Sequence, residues 1–266
     1  MQQNNGYALI TGATGGLGQA FVHAYAKRGV PLVLTGRSQE KLDSLKENIQ
    51  SAYGDLPVIV YAVDLTSEQE RLAFFNELTK TGVRISVLVN VAGADIQKGF
   101  EAYTQEKISF QCRVNLESAV STCKFAIDNR SDKLEIINIS SVSGLYPMPY
   151  FAIYSATKSA LTSFSIALRQ EMKKKGVFVT AILPGAMPTR TDIKEQIKGQ
   201  GLWGRLAVKS PDWVAEYSIK AVRKNKAKVI PGFWNKLMRL STAWMPLSWK
   251  LRFIAKRWSK ISKDAF

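Results

Sequence analysis

Seven short runs of apolar or β-branched residues divide the first 230 residues, and a longer helical pattern follows each run but the last. The strand candidates are Tyr7–Thr11, Leu32–Thr35, Val58–Val63, Val87–Asn90, Leu134–Ile139, Val177–Leu183 and Lys228–Ile230. The helical stretches fall near 17–28, 39–52, 67–80, 104–129, 151–174 and 211–225. Several runs are apolar without strict alternation, as expected of parallel strands covered on both faces. This rhythm confines the chain to an α/β fold: a doubly wound parallel sheet of about seven strands, with right-handed crossovers and helices on both faces. A length of 266 residues suits one large domain better than two. That domain is expected over 1–230, with a basic, Trp-rich extension over 231–266 that begins at Pro231–Gly232.

The first strand runs into Thr11, Gly12, Ala13, Thr14, Gly15, Gly16, Leu17 and Gly18, and a helix follows. Glycines at 12, 16 and 18 allow a tight turn, close approach of backbone to a pyrophosphate, and close helix–strand packing. The helix N-terminus then offers free N–H groups and partial positive charge to phosphates. The loop residues Gly12, Thr14, Gly15, Gly16, Leu17 and Gly18 are therefore candidates for holding a dinucleotide. The second strand ends in Gly36 and Arg37, where a site selective for NAD usually carries an acidic residue. A guanidinium there matches a 2′-phosphate, so the expected cofactor is NADP(H).

Tyr154 and Lys158 stand four apart, on one face of the helix expected over 151–174. Tyr103 and Lys107 copy that spacing. Only Tyr154 has a serine thirteen residues before it, Ser141, closing a strand. Carbonyl reduction needs a hydride on carbon and a proton on oxygen. A phenol titrating near ~10 can donate the proton, and a neighbouring ammonium that lowers it by roughly three units supplies about 4 kcal/mol. Ser141 can hydrogen-bond the developing alkoxide, and Lys158 can also reach a cofactor ribose.

With these residues in place, the chain resembles the short-chain dehydrogenase/reductase family in its single-domain form. The matching motifs are TGATGGLG at 11–18, Asp64-Leu65, NVAG at 90–93, Asn115, NISS at 138–141, YSATK at 154–158, and Pro184-Gly185 with Thr189. The resemblance implies a Rossmann-like fold and a catalytic tetrad of Asn115, Ser141, Tyr154 and Lys158. It implies that Asn115 holds a water linking Lys158 to solvent, and that Asp64 and Leu65 sit by an adenine. Asn90, Ala92 and Gly93 would line the adenosine side, and Pro184, Gly185 and Thr189 the nicotinamide end. It also implies a homodimer or homotetramer packed through the 104–129 and 151–174 helices. One position departs: Val91 stands where the family usually has a second Asn.

Substrate is expected beyond the carboxyl ends of the strands. The segments 143–150 and 186–208 should line that space, with Ser143, Leu145, Tyr150, Met187 and Trp203 as candidates. Both segments are largely apolar: either they favour a hydrophobic, lipid-like ketone, aldehyde or secondary alcohol, or their side chains pack on the core or on the tail. The alternative on the same fold is a non-catalytic NADP-sensing or membrane-associated scaffold. His23 reads as a packing or surface residue, and Cys112 and Cys123 as buried small hydrophobes. Two isolated cysteines make neither a disulfide framework nor a metal site.

The net charge of +16 is concentrated near the end of the chain: Tyr217 to Lys263 holds 13 Lys or Arg and no Asp or Glu. Within 233–263, aromatic and aliphatic residues recur at near-helical spacing, with lysines and arginines mostly on the other side. That pattern fits either peripheral contact with an anionic membrane or a helix packed on the domain or at a subunit contact with a solvated basic face, and both better than a nucleic acid. The opening MQQNNGYALITG has no basic start and no apolar run, so no leader peptide is expected and the cytoplasm is the expected location. The tail resembles, more weakly than the core motifs do, the basic C-terminal extensions of the family branch that holds acyl-chain and steroid ketoreductases.

Overall fold

A computed structural model describes residues 6–187 and 208–259. Its centre is a parallel sheet of seven strands in the order β3-β2-β1-β4-β5-β6-β7. The strands are β1 Tyr7–Thr11, β2 Leu32–Gly36, β3 Val58–Ala62, β4 Ile85–Asn90, β5 Arg130–Ile139, β6 Val177–Ile182 and β7 Lys228–Val229. Alternate residues along each strand enter different cores. Ala8, Ile10, Leu32 and Leu34 belong to one apolar cluster, Leu9 and Val33 to the other.

The first cluster is covered by α1 (Gly16–Ala26), α2 (Gln39–Tyr53) and α7 (Pro211–Arg223), which contribute Phe21, Leu42 and Ile219 among others. The second is covered by α3 (Glu68–Lys80), α5 (Ser118–Asp128) and α6 (Ala152–Met172), with Phe74, Phe75, Phe125 and Met172. The rings of Phe75 and Phe125 stack at 4.4 Å, joining α3 to α5. Helix starts follow local chemistry: Ser38, Ser67, Thr104 and Ser210 each accept a backbone N–H of the first turn, and Pro211 opens α7.

Because β1 and β4 are adjacent and connections leave them in opposite directions, a crevice opens at their carboxyl ends. The register aligns Thr11 with Asn90, Asn90 with Asn138, and Ile139 with Ile182, so four strands deliver their last residues to one edge.

The stretch expected as one helix over 104–129 is three pieces. α4 covers Gln105–Cys112, a π-helical turn covers Arg113–Glu117, and α5 follows. A π-turn has no hydrophobic period of its own, so the sequence reads straight through it. Beyond β7 lie α8 (Phe233–Ala243) and α9 (Leu247–Trp258), broken at Pro246, which has no N–H to continue a helix.

Candidate functional site

The phosphate loop is shaped by what cannot fit in it. Gly12 has φ +63, and a Cβ there would stand 3.0 Å from the Ala92 backbone. A Cβ on Gly18 would collide with the Gly12 carbonyl. Gly15, at the N-cap of α1, has no side chain to cap the first turn, and that turn holds no acidic residue. Its N–H groups and the helix dipole are thus presented to an anion. Thr11, which had been read only as part of the loop motif, is a tie. Its buried hydroxyl accepts the N–H groups of Val91 (3.1 Å) and Ala92 (3.2 Å), fixing the strand-4 loop against the phosphate loop.

Gly36 ends β2 so close to Thr14 that a Cβ would meet the threonine hydroxyl at 3.3 Å. Arg37 follows, exposed and in no ion pair among the described residues. A glycine cradle, an uncapped helix start and an exposed guanidinium next in sequence to Gly36 fit a dinucleotide carrying an extra phosphate. Asp64 is half-buried and its carboxylate accepts from the Thr66 N–H and hydroxyl, while Leu65 is buried in the second core.

Asn90 faces inward. Its amide donates to Asn138 Oδ1 (2.8 Å) and to the Ala119 carbonyl, and its oxygen accepts from Thr122 (2.7 Å). Asn138 in turn donates to Ser165 Oγ (2.9 Å). This buried chain couples β4, β5, α5 and α6, and the side chain of Asn90 is used in it. Cys123 lies in the same network, its thiol pushed up to about 12 by burial. Cys112, expected to be buried, is exposed instead, because Gln111 takes the inward position at the end of α4.

Gly93 passes over Lys158. A Cβ there would come within 2.9 Å of Asn115 Oδ1 and 3.2 Å of Lys158 Nζ. Asn115 sits on the π-turn, fully buried. Its Oδ1 accepts the Ala94 N–H (2.9 Å) and its Nδ2 donates to the Ala94 carbonyl (2.8 Å). Both ends of the amide are therefore engaged in a clamp on the strand-4 loop. A π-turn pushes a residue out of helical register, a device that recurs at functional sites.

Lys158 is buried on α6 and its Nζ donates to the Ile139 carbonyl (3.0 Å). Burial pulls the ammonium down to about 8, with the nearby Asp95 carboxylate acting the other way. Nζ stands 5.8 Å from the centre of the Tyr154 ring one turn earlier. Two residues absent from the candidate set hold α6 here. Ser140 Oγ donates to the Lys158 carbonyl (2.7 Å) and shares a hydrogen with Thr162 (2.8 Å). A Cβ on Gly144 would sit 2.8 Å from the Lys158 backbone, so only glycine lets this turn approach α6. Both leave a trace in the sequence, as a polar residue ending an apolar strand and a glycine three past Ser141.

Ser141 accepts the Ser143 N–H (3.1 Å) and opens a short 3₁₀ turn, Val142–Leu145. Leu145 packs on Ala181, Leu183 and Ile230, and Met187 on the first core. Tyr150 adopts φ +66, costly for a bulky residue, and its carbonyl accepts the Lys98 N–H (3.0 Å). Thr189 and Trp203 lie outside the described residues. Pro184 accepts the Val142 N–H (3.0 Å), and Gly185 abuts Asn235 of α8.

Tyr103 precedes α4 and so shares no helix with Lys107. Its hydroxyl donates to the Ile96 carbonyl (2.9 Å), and burial raises its phenol to about 12. His23 is exposed on α1, 6.2 Å from Tyr53.

The wall beside Tyr154 follows the second reading of the 143–150 segment, packing on the tail. Met148, Phe151 and Ile254 make a small apolar cluster with Tyr146, Tyr154 and Trp258 around it. Trp258 meets Phe151 edge-on at 5.1 Å, and Phe151 lies 5.8 Å from Tyr154. The inner face of α9 thus closes one side of the crevice.

A family model described as short chain dehydrogenase matches residues 6–200. The very-long-chain 3-oxoacyl-CoA reductase of Bos taurus is 35% identical over 195 residues, covering 69% of this chain and 60% of the relative. The chain thus spans about 60% of the length of that relative and of several like it. Among solved structures, the short-chain dehydrogenase from Sphingobium yanoikuyae in complex with NADPH superposes with a TM-score of 0.73 at 26% identity, covering 98% of each chain. A 7beta-hydroxysteroid dehydrogenase shares the fold with a TM-score of 0.82 at 24% identity, covering 96% of this chain and 98% of that one.

Proposed function

Because the chain belongs to the short-chain dehydrogenase family, we propose that it is an NADPH-dependent reductase of an apolar ketone or aldehyde, with Tyr154 as the acid. The observation that carries this reading is the buried Lys158 ammonium one helical turn from Tyr154, under a glycine and bonded to the Ile139 carbonyl at the end of β5, two residues before Ser141. Gly12, Gly15, Gly16, Leu17 and Gly18 would hold the pyrophosphate, and Arg37 the 2′-phosphate. A bound nicotinamide supplies the hydride.

Tyr154 gives its hydroxyl proton to the carbonyl oxygen as that oxygen gains charge. Ser141 donates a hydrogen bond to the same oxygen and orients it. Lys158 stands behind the phenolate so formed and opposes its charge. Asn115, by clamping Ala94, holds Gly93 over the lysine. The apolar wall of Met148, Phe151, Ile254 and Trp258 favours a greasy substrate. The named activity of the Bos taurus relative, reduction of a very-long-chain 3-oxoacyl-CoA, agrees with that chemistry.

Tyr154→Phe tests the assignment. Loss of at least ~10³ in carbonyl reduction, with NADPH binding retained, is expected from removing the proton donor. Full activity in that variant would remove Tyr154 from the mechanism. Arg37→Ala should raise the KM for NADPH about tenfold and leave that for NADH within about twofold, as expected for one lost charge-assisted pair. An unchanged ratio would take the 2′-phosphate away from Arg37.

A further inference from the structure

The α8 helix is built inside out. Its buried residue is polar: Asn235 is 3% exposed, donates to the Pro231 carbonyl (2.9 Å) and presses on Gly185. Its outer face is apolar. Phe233, Leu237, Leu240 and Trp244 lie at steps of four, three and four, and are 69%, 40%, 64% and 89% exposed. At about 100° per residue that stripe points roughly opposite Asn235. On α9, Trp249 and Phe253 are both about two-thirds exposed, while Ile254 and Trp258 turn inward to Phe151.

A helix that hides its polar residue and shows four large apolar ones is adapted to something other than water. The charge of this segment defines the partner. From 233 to 258 the chain carries Lys236, Arg239, Lys250, Arg252, Lys256 and Arg257 and no acidic residue. A second copy meeting this face about a two-fold axis would set these charges against their own kind. An anionic lipid surface satisfies both features, taking Trp, Phe and Leu into the acyl boundary and the cations among headgroups. No described helix is long and apolar enough to cross a membrane, so the contact would lie in the plane of the surface.

We propose that α8 and α9 form a docking surface for an anionic bilayer, seated through Phe233, Leu237, Leu240, Trp244, Trp249 and Phe253. The inner side of the same α9 walls the crevice beside Tyr154, which places the lipid surface about one helix diameter, ~10 Å, from the proposed acid.

The test is flotation of the full chain with vesicles of phosphatidylcholine alone and of phosphatidylcholine with phosphatidylglycerol. Leu240→Ser/Trp244→Ser/Trp249→Ser is the variant, with circular dichroism and thermal midpoint as checks that it folds. Wild type should float with the phosphatidylglycerol vesicles, bind them more weakly at high salt, and lose at least ~10-fold in partition on substitution. Failure of wild type to float, equal binding to both vesicle types, or equal binding by the folded variant would each overturn the proposal. So would a wild-type dimer in sedimentation velocity that the variant dissolves, with vesicles ignored by both. The readout is independent of the Tyr154 reading: flotation without any reductase activity would leave this surface standing and the chemistry in error.

Discussion

Lys158 sets a cost at the scale of a single residue. Its ammonium is held at about 8, whereas a lysine in an unfolded chain titrates near ~10.4. Below about pH 8 it is charged in both states, and folding carries that charge out of water. As pH climbs from about 8 to about 10 the unfolded chain binds more proton than the folded one, so stability at this site rises with pH across that window. Lys158→Met should therefore stabilise the cofactor-free protein at pH 7. The gain is roughly 3 kcal/mol, against about 1 kcal/mol lost at the Ile139 carbonyl, which loses its donor. Thermal melts of both proteins from pH 7 to 10 check this: the gap between midpoints should narrow with pH, and a constant gap would place its origin elsewhere. Such a cost is the expected signature of a position selected for something other than stability.

Among elements, the chain through Thr122, Asn90, Asn138 and Ser165 decides whether α5 and α6 meet the sheet in the right place. Asn138→Leu leaves the Asn90 amide short of a partner in a dry interior. It should lower stability by about 3 kcal/mol, seen as a lower urea midpoint with an unchanged slope. Much of the element plan was legible in the sequence. All seven strands lie within a few residues of their apolar runs, because a strand buried on both faces is written as a continuous stretch of Val, Ile and Leu. Tyr154, Lys158, Ser141 and the phosphate loop were legible from spacing. The π-turn was hidden, since Asn115 looks like any polar residue on an amphipathic helix until its amide is seen on Ala94. Gly144 and Ser140 were also missed. Their roles are close approaches between segments about fifteen or more apart in sequence, which no local period records.

In the whole molecule, the site is assembled from the carboxyl ends of strands on one side and from the α9 helix on the other. Trp258→Ala removes one edge-on aromatic pair from the wall. About 1 kcal/mol is at stake, so the KM for a long apolar ketone should rise about fivefold while kcat stays within about twofold. An equal fall in kcat would mean that Trp258 positions Tyr154 and does not merely line the crevice. The basic tail proved readable as helices from its spacing, whereas its inward face was not. Ile254 and Trp258 carry the same apolar letters as Trp249 and Phe253, and only the packing on Phe151 separates them.

The order in which the chain is made gives that packing a further meaning. α9 leaves the ribosome after every strand of the sheet. The stretch from Val229 to Trp258 takes a few seconds more to synthesise at roughly 5–20 residues per second. During that interval the parallel sheet and the phosphate loop can already have collapsed, while Phe151 and Met148 still face solvent. A nascent chain is then expected to gain its nucleotide half before its substrate half, with an apolar gap beside Tyr154 that a chaperone could cover until α9 arrives.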